Sequence, residues 1–226
     1  MVVRIASVLS CDELAAIRRR LERAAWVDGR LTAGHQSAQV KENLQLPQSD
    51  PVAREAGELV MRALERTALF VSAALPRHLY PPLFNRYEAG MAFGNHIDNA
   101  LRQIPGTAYR LRTDLSATLF LSAPHEYDGG ELSIEDTYGA HAVKLEAGDL
   151  VLYPASSVHR VEPVTRGARL AVFFWVQSLV RDDGARCLLF DLDTTIRQLT
   201  AKGADRESLV RLTACYHNLL RRWAEL

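Results

Sequence analysis

Between positions 83 and 178 the sequence breaks into short runs rich in Val, Leu, Phe, Tyr and Thr, punctuated by Gly, Pro and Asp. Such runs suit strands closed by turns, and the stretch therefore predicts antiparallel β structure. The expected strands are 83–88, 115–121, 131–135, 142–145, 150–153, 157–161 and 169–177. That many short strands predicts a sandwich or a double-stranded β-helix (jelly-roll) core.

On either side the apolar period becomes helical. Ser10 and Glu13 form a capping-box pattern ahead of Leu14, Ile17, Leu21 and Ala25, predicting a helix that stops near Asp28 and Gly29. Asp50 followed by Pro51 offers an N-cap and a first-turn proline, and Leu59, Val60, Ala63, Leu64 and Val71 continue one face as far as Pro76. Beyond Arg181 a stripe of Leu188, Leu189, Leu192, Ile196 and Leu199 runs to a stop at Gly203. Asp205 can cap a last helix with Leu209, Leu212, Tyr216, Leu219, Leu220 and Trp223 on one face. The chain reads as an α+β fold in three parts: N-terminal helices and supporting strands (1–82), the β core (83–178) and a C-terminal helical pair (179–226). The pair is expected to pack on the barrel or to join copies into a homo-oligomer.

Composition removes several function classes. Lys plus Arg equals Asp plus Glu at 27 each, so no global charge draws the chain to nucleic acid or to an anionic membrane, and neither partner is expected. No run of about 18 apolar residues is present to cross a bilayer. Cys11, Cys187 and Cys215 are odd in number and contain no CxxC pair, which suits reduced thiols. With no secretory pattern at the N-terminus, a cytoplasmic protein is expected.

Two residues in the core carry chemistry at close spacing. His96 and Asp98 stand two apart in Gly94-Asn95-His96-Ile97-Asp98, expected just after a strand; in extended backbone such residues share a side and can converge on one ion. A His-x-Asp pair alone recurs by accident in surface loops. His159, far downstream, supplies a third ligand if a second sheet edge brings it opposite the pair. Two imidazoles and one carboxylate leave open positions on a metal, as non-haem Fe(II) oxygenases require, whereas a structural zinc site is closed by four ligands. Arg169 lies ten residues after His159, ahead of the apolar stretch 170–175. With a turn around 165–167 between their strands, both side chains would face the interior, where a guanidinium needs an anion and matches a carboxylate bidentately. A structural salt bridge or an exposed strand-end charge would also account for Arg169.

These residues, in this order, resemble the 2-oxoglutarate dioxygenases of the prolyl 4-hydroxylase alpha-subunit type, and more closely the bacterial PKHD-type hydroxylases. The resemblance is carried by Phe84-Asn85-Arg86-Tyr87-Glu88, Phe93-Gly94-Asn95-His96-Ile97-Asp98, Leu115-Ser116-Ala117-Thr118-Leu119, Tyr127-Asp128-Gly129-Gly130-Glu131-Leu132 and Pro154-Ala155-Ser156-Ser157-Val158-His159-Arg160-Val161, and it runs through nearly the whole chain. It implies a jelly-roll Fe(II)/2-oxoglutarate dioxygenase core over 83–178, with His96, Asp98 and His159 on iron and Arg169 on the distal carboxylate of 2-oxoglutarate. The wider group also implies Tyr87 as a further co-substrate contact, although a buried tyrosine with a satisfied hydroxyl fits the residue as well. Many of its members use lysine where this chain has Arg169. By resemblance, L-ascorbate joins Fe(II) and 2-oxoglutarate as a cofactor, the reaction hydroxylates a C–H bond while 2-oxoglutarate becomes succinate, and a role in bacterial iron uptake is suggested. Two other readings stand beside it: a non-enzymatic iron or 2-oxoglutarate sensor acting through the C-terminal helices, and a cupin-like zinc hydrolase.

The substrate, peptidyl or small-molecule, is not legible. Gln39, Lys41 and Asn43 share a face of an expected extended stretch and either line the mouth of the site or form a solvated edge. The loop 99–110, with Arg102, Pro105, Gly106 and Tyr109, has the composition of a lid. His35, His78, His125, His141 and His217 lack partners at ligand spacing, and Trp26, Trp175 and Trp223 read as packing residues.

Overall fold

The computed structural model describes residues 1–32, 38–137 and 139–226; His35 lies outside them. Helix α1 (Cys11–Leu21) starts on the expected capping box, Ser10 accepting from the Glu13 amide and the Glu13 carboxylate from the Ser10 amide. It stops well before Gly29. Turn bonds from Arg23 and Ala24 close its end, and Val27–Asp28 instead form strand β2 against β3 (Leu44–Gln45). The Asp50 carboxylate caps α2 (Pro51–Arg66) at the Val52 amide, as the Asp-Pro pair requires. The expected continuation to Pro76 is broken at Thr67, whose extended backbone separates α2 from α3 (Ala68–Ala74).

The strands, in chain order, also include β1 (Val3–Ile5), β4 (Pro76–Leu79), β5 (Leu83–Glu88), β6 (Phe93–His96), β7 (Leu101–Gln103), β8 (Arg110–Arg112), β9 (Leu115–Phe120), β10 (Tyr127–Gly129), β11 (Leu132–Asp136), β12 (Gly139–Val143), β13 (Leu150–Pro154), β14 (His159–Val161) and β15 (Val164–Ser178). The major sheet runs β1-β13-β9-β15-β5-β3-β2, with β10 and β4 pairing on the two ends of β15. The minor sheet runs β12-β11-β14-β6. All these pairings are antiparallel, and together the two sheets form the expected jelly roll.

Alternation along each strand divides the major sheet between two environments. On its outer face Phe84, Leu115, Ala117, Leu119, Leu150, Leu152, Val172, Phe174 and Val176 pack with Ile17, Leu21, Val60, Leu64 and Phe70 of α1 to α3 in one apolar core. The alternate residues, among them Asn85, Tyr87, Ser116, Thr118, Tyr153, Arg169, Phe173 and Trp175, line a pocket shared with the minor sheet. The helices thus cover one face of the sheet while leaving the other free for chemistry.

The C-terminal pair forms as expected: α4 (Asp183–Ala201) starts at the Asp182 cap, a turn follows with Gly203 at φ +71°, and Asp205 caps α5 (Arg206–Trp223). A glycine suits that left-handed turn because a Cβ would be strained there. Tyr216, Leu219, Leu220 and Trp223 pack onto Leu75, Val180, Ala185 and Leu189, seating the pair against the body of the fold. Among the described residues, no helix is long and apolar enough to cross a membrane.

Candidate metal centre

His96 ends β6 and His159 begins β14, and the antiparallel register places them directly opposite each other. Their rings lie 4.2 Å apart between centroids. Asp98 follows two residues beyond His96, its Oδ2 3.7 Å from His159 Nε2, and one ligand atom from each of the three lies within 4.8 Å of the others. Among the described residues this is the only cluster of at least three His, Cys, Asp or Glu side chains with such geometry. His96 was expected just after a strand; it is the last residue of one, so ladder bonds rather than a loop fix its backbone.

The contacts around the triad orient it. His96 Nδ1 lies 2.9 Å from the Gly94 carbonyl and His159 Nδ1 3.0 Å from that of Ser157. A carbonyl oxygen only accepts, so both Nδ1 atoms carry the proton and both Nε2 lone pairs are free for an ion. Ser116 Oγ donates to Asp98 Oδ2 at 2.6 Å, and the Phe93 ring stacks on His96 at 3.6 Å. Burial, followed by the neighbouring His159, lowers the His96 pKa to about 4, which keeps the imidazole neutral near pH 7.

Arg169 reaches the same pocket from the opposite sheet. The expected turn at 165–167 is not where the chain reverses: those residues already belong to β15, and the link from β14 is Glu162-Pro163. The chain crosses there from the minor to the major sheet, so His159 and Arg169 face each other across the interior instead of lying on paired strands. Arg169 is 1% exposed, and its Nε and Nη2 have no hydrogen-bond partner. No ion pair among the described residues includes it, which excludes the structural salt bridge there. Its neighbours are rings: Tyr87, its cross-strand partner, at 5.5 Å and Phe120 at 5.2 Å. Tyr87 is itself buried, and burial pushes its pKa up to about 12, with Arg169 and Asn43 pulling the other way. A buried cation with orphaned donors beside an open triad fits a dianionic co-substrate.

Of the stretch at 39–43, Gln39 is exposed, whereas Lys41 and Asn43 are buried and line the pocket, which removes the solvated-edge reading for those two. The 99–110 loop contains a hairpin turn joining β7 to β8, and it puts Arg102 on the pocket wall. Trp175, expected to be a packing residue, lines the pocket as well. Ser116 was not among the expected site residues; a hydroxyl on the interior face of a wholly buried strand is the signal that marks it. His141 bonds Asp136, and none of His78, His125, His141 and His217 joins the triad.

Comparison with known proteins gives the family. Residues 82–177 match the family described as the 2OG-Fe(II) oxygenase superfamily, and residues 183–225 match the PKHD-type hydroxylase C-terminal domain. The chain is 61% identical to a PKHD-type hydroxylase of Stutzerimonas stutzeri and 60% identical to one of Burkholderia ambifaria, in each case over 100% of both chains. Among solved structures, a Pseudomonas putida prolyl-4-hydroxylase shares its fold with a TM-score of 0.52 and 21% identity, covering 78% of this chain and 92% of that one. A Trichoplax adhaerens prolyl hydroxylase, solved with a hypoxia inducible factor peptide fragment, does so with a TM-score of 0.58 and 12% identity, covering 77% and 82%. The chain belongs to the PKHD-type hydroxylases of the 2OG-Fe(II) oxygenase superfamily.

Proposed function

We propose that His96, Asp98 and His159 hold Fe(II), that Arg169 binds the distal carboxylate of 2-oxoglutarate, and that Tyr87 walls the co-substrate from the strand opposite. The carrying observation is Arg169, buried without an acceptor and facing the triad. As a member of its family the chain is an Fe(II)- and 2-oxoglutarate-dependent dioxygenase. Bound here, the iron and 2-oxoglutarate supply oxidation of a C–H bond by dioxygen, with carbon dioxide and succinate as the co-products.

The chain's own residues supply placement. The carbonyls of Gly94 and Ser157 hold the two imidazoles in the tautomer that presents Nε2, and Ser116 fixes the rotation of the Asp98 carboxylate. Arg169 neutralises the far carboxylate where water cannot compete, and the buried rings of Tyr87, Tyr153 and Trp175 keep the pocket dry. Purified protein given Fe(II), ascorbate and 2-oxoglutarate should form succinate slowly, and faster with a substrate that gains 16 daltons. Intact iron binding with no succinate under any substrate tested counts against the assignment.

The finer reading follows the family resemblance: ascorbate keeps the iron reduced, and the enzyme serves iron uptake in the cytoplasm. Three free cysteines, two of them exposed, suit a reducing compartment. The C-terminal pair is the surface on which a homo-oligomer would form; Leu188 and Val210 on it are each 60% exposed.

A further inference from the structure

The pocket holds more positive charge than the co-substrate uses. Its titratable cations are Lys41, Arg102 and Arg169, against the single carboxylate of Asp98. The charges of Fe(II) and dianionic 2-oxoglutarate cancel, Arg169 balances Asp98, and Lys41 already donates to Gln45 Oε1 with the Asp28 carboxylate acting on it, so Arg102 is left over. Holding an unbalanced cation in a partly buried pocket costs free energy unless something anionic arrives.

Arg102 is placed to receive it. It projects from the β7–β8 hairpin, four residues past Asp98, onto an aromatic shelf: its guanidinium carbon lies 3.8 Å from the Trp175 ring centroid and 5.2 Å from that of Tyr80. Stacking of this kind holds the plane of the fork while leaving its edge free. Its Nε is buried without a hydrogen-bond partner, and no ion pair among the described residues includes it. Lys41 is buried on the wall of the same pocket and feels the Arg102 charge. Ile97, between two of the metal ligands, lines the same pocket while 53% exposed. The surface left to a substrate is therefore apolar and aromatic with one cationic corner.

We propose that Arg102, on its Trp175 and Tyr80 shelf, is the subsite for a carboxylate of the prime substrate, which is an acid with an apolar body. This rests on the assignment of Arg169 to 2-oxoglutarate.

The test uses full-length protein loaded with Ni(II) and saturating 2-oxoglutarate, so that the Arg169 position is filled. Phenylacetate and its neutral isostere phenylacetamide are titrated separately, with Trp fluorescence and ligand-observed NMR as readouts. Phenylacetate should bind at least tenfold more tightly than the amide. The preference should vanish in Arg102→Gln and survive in part in Arg102→Lys, while 2-oxoglutarate affinity in both variants stays within threefold of wild type, which also shows that they fold. Equal binding of acid and amide, binding of neither, or an undiminished preference in Arg102→Gln overturns the subsite. Loss of 2-oxoglutarate affinity in Arg102→Gln with retention in an Arg169 variant would instead overturn the co-substrate assignment.

Discussion

Replacing Arg169 with Met should push two measurements in opposite directions. In the ligand-free protein the side chain is a cation, 1% exposed, with two donor nitrogens lacking acceptors and the rings of Tyr87 and Phe120 and the Tyr127 side chain as its neighbours. Removing an unpaired buried charge in favour of an apolar chain of similar length relieves its desolvation, so the folded state should gain about 1 kcal/mol or more in urea unfolding. With 2-oxoglutarate the sign reverses. Two charge-assisted hydrogen bonds to a carboxylate contribute roughly 1.5 to 3 kcal/mol each, so the loss is at least about 3 kcal/mol, on the order of a hundredfold in Kd. Anaerobic calorimetry of 2-oxoglutarate into Ni(II)-loaded protein reads that change, and a separate Ni(II) titration should shift little, because Arg169 is not among the three clustered ligands. A 2-oxoglutarate affinity within tenfold of wild type, or a parallel fall in Ni(II) affinity, would refute the reasoning.

Other expectations can be checked alongside it. Ser116→Ala frees the Asp98 carboxylate from its 2.6 Å bond and should weaken Ni(II) binding by about 10- to 100-fold without loss of fold by circular dichroism. Gly130→Ala should lower both stability, by about 1 to 3 kcal/mol, and 2-oxoglutarate affinity: the residue has φ +67°, and a Cβ there would lie 3.2 Å from Arg169 Cδ. Lys41, which burial first and then Arg102 lower to about 8, binds fewer protons folded than unfolded between pH 8 and the ordinary 10.5. Stability should therefore rise with pH across that window, and Lys41→Met should remove the rise while gaining on the order of 3 kcal/mol at pH 7 in urea unfolding. An unchanged slope in that variant would exclude the account.

The sequence carried the parts of this molecule that depend on local chemistry. The Ser10 and Asp50 caps, the turn glycine at 203 and the limits of β5 follow from bonds within a few residues, and each is found where the pattern puts it. The errors lie where distant pairing decides. Val27 and Asp28 look like the end of a helix until Leu44 and Gln45 are beside them, and the 99–110 segment looks like a loop until Arg102 meets Tyr80 and Trp175. The site divides in the same way. His96 with Asp98 is a local pattern, but its opposition to His159 is a register between residues 63 positions apart. The β14-to-β15 crossing at Glu162 and Pro163 is likewise invisible to spacing, which is why a hairpin turn at 165–167 gave the right facing for the wrong reason.

That long last strand also sets an order of events. β15 pairs with β10, β5, β9 and β4, joining Gln177 to His78 and Arg169 to Tyr87, so the centre of the major sheet is missing until it arrives. A chain growing from its N-terminus has His96 and Asp98 in hand long before His159, and gains Arg169 only ten residues later still. On the proposed assignment, a chain made from its N-terminus completes the metal grip and the co-substrate grip almost together, within the ten residues from His159 to Arg169.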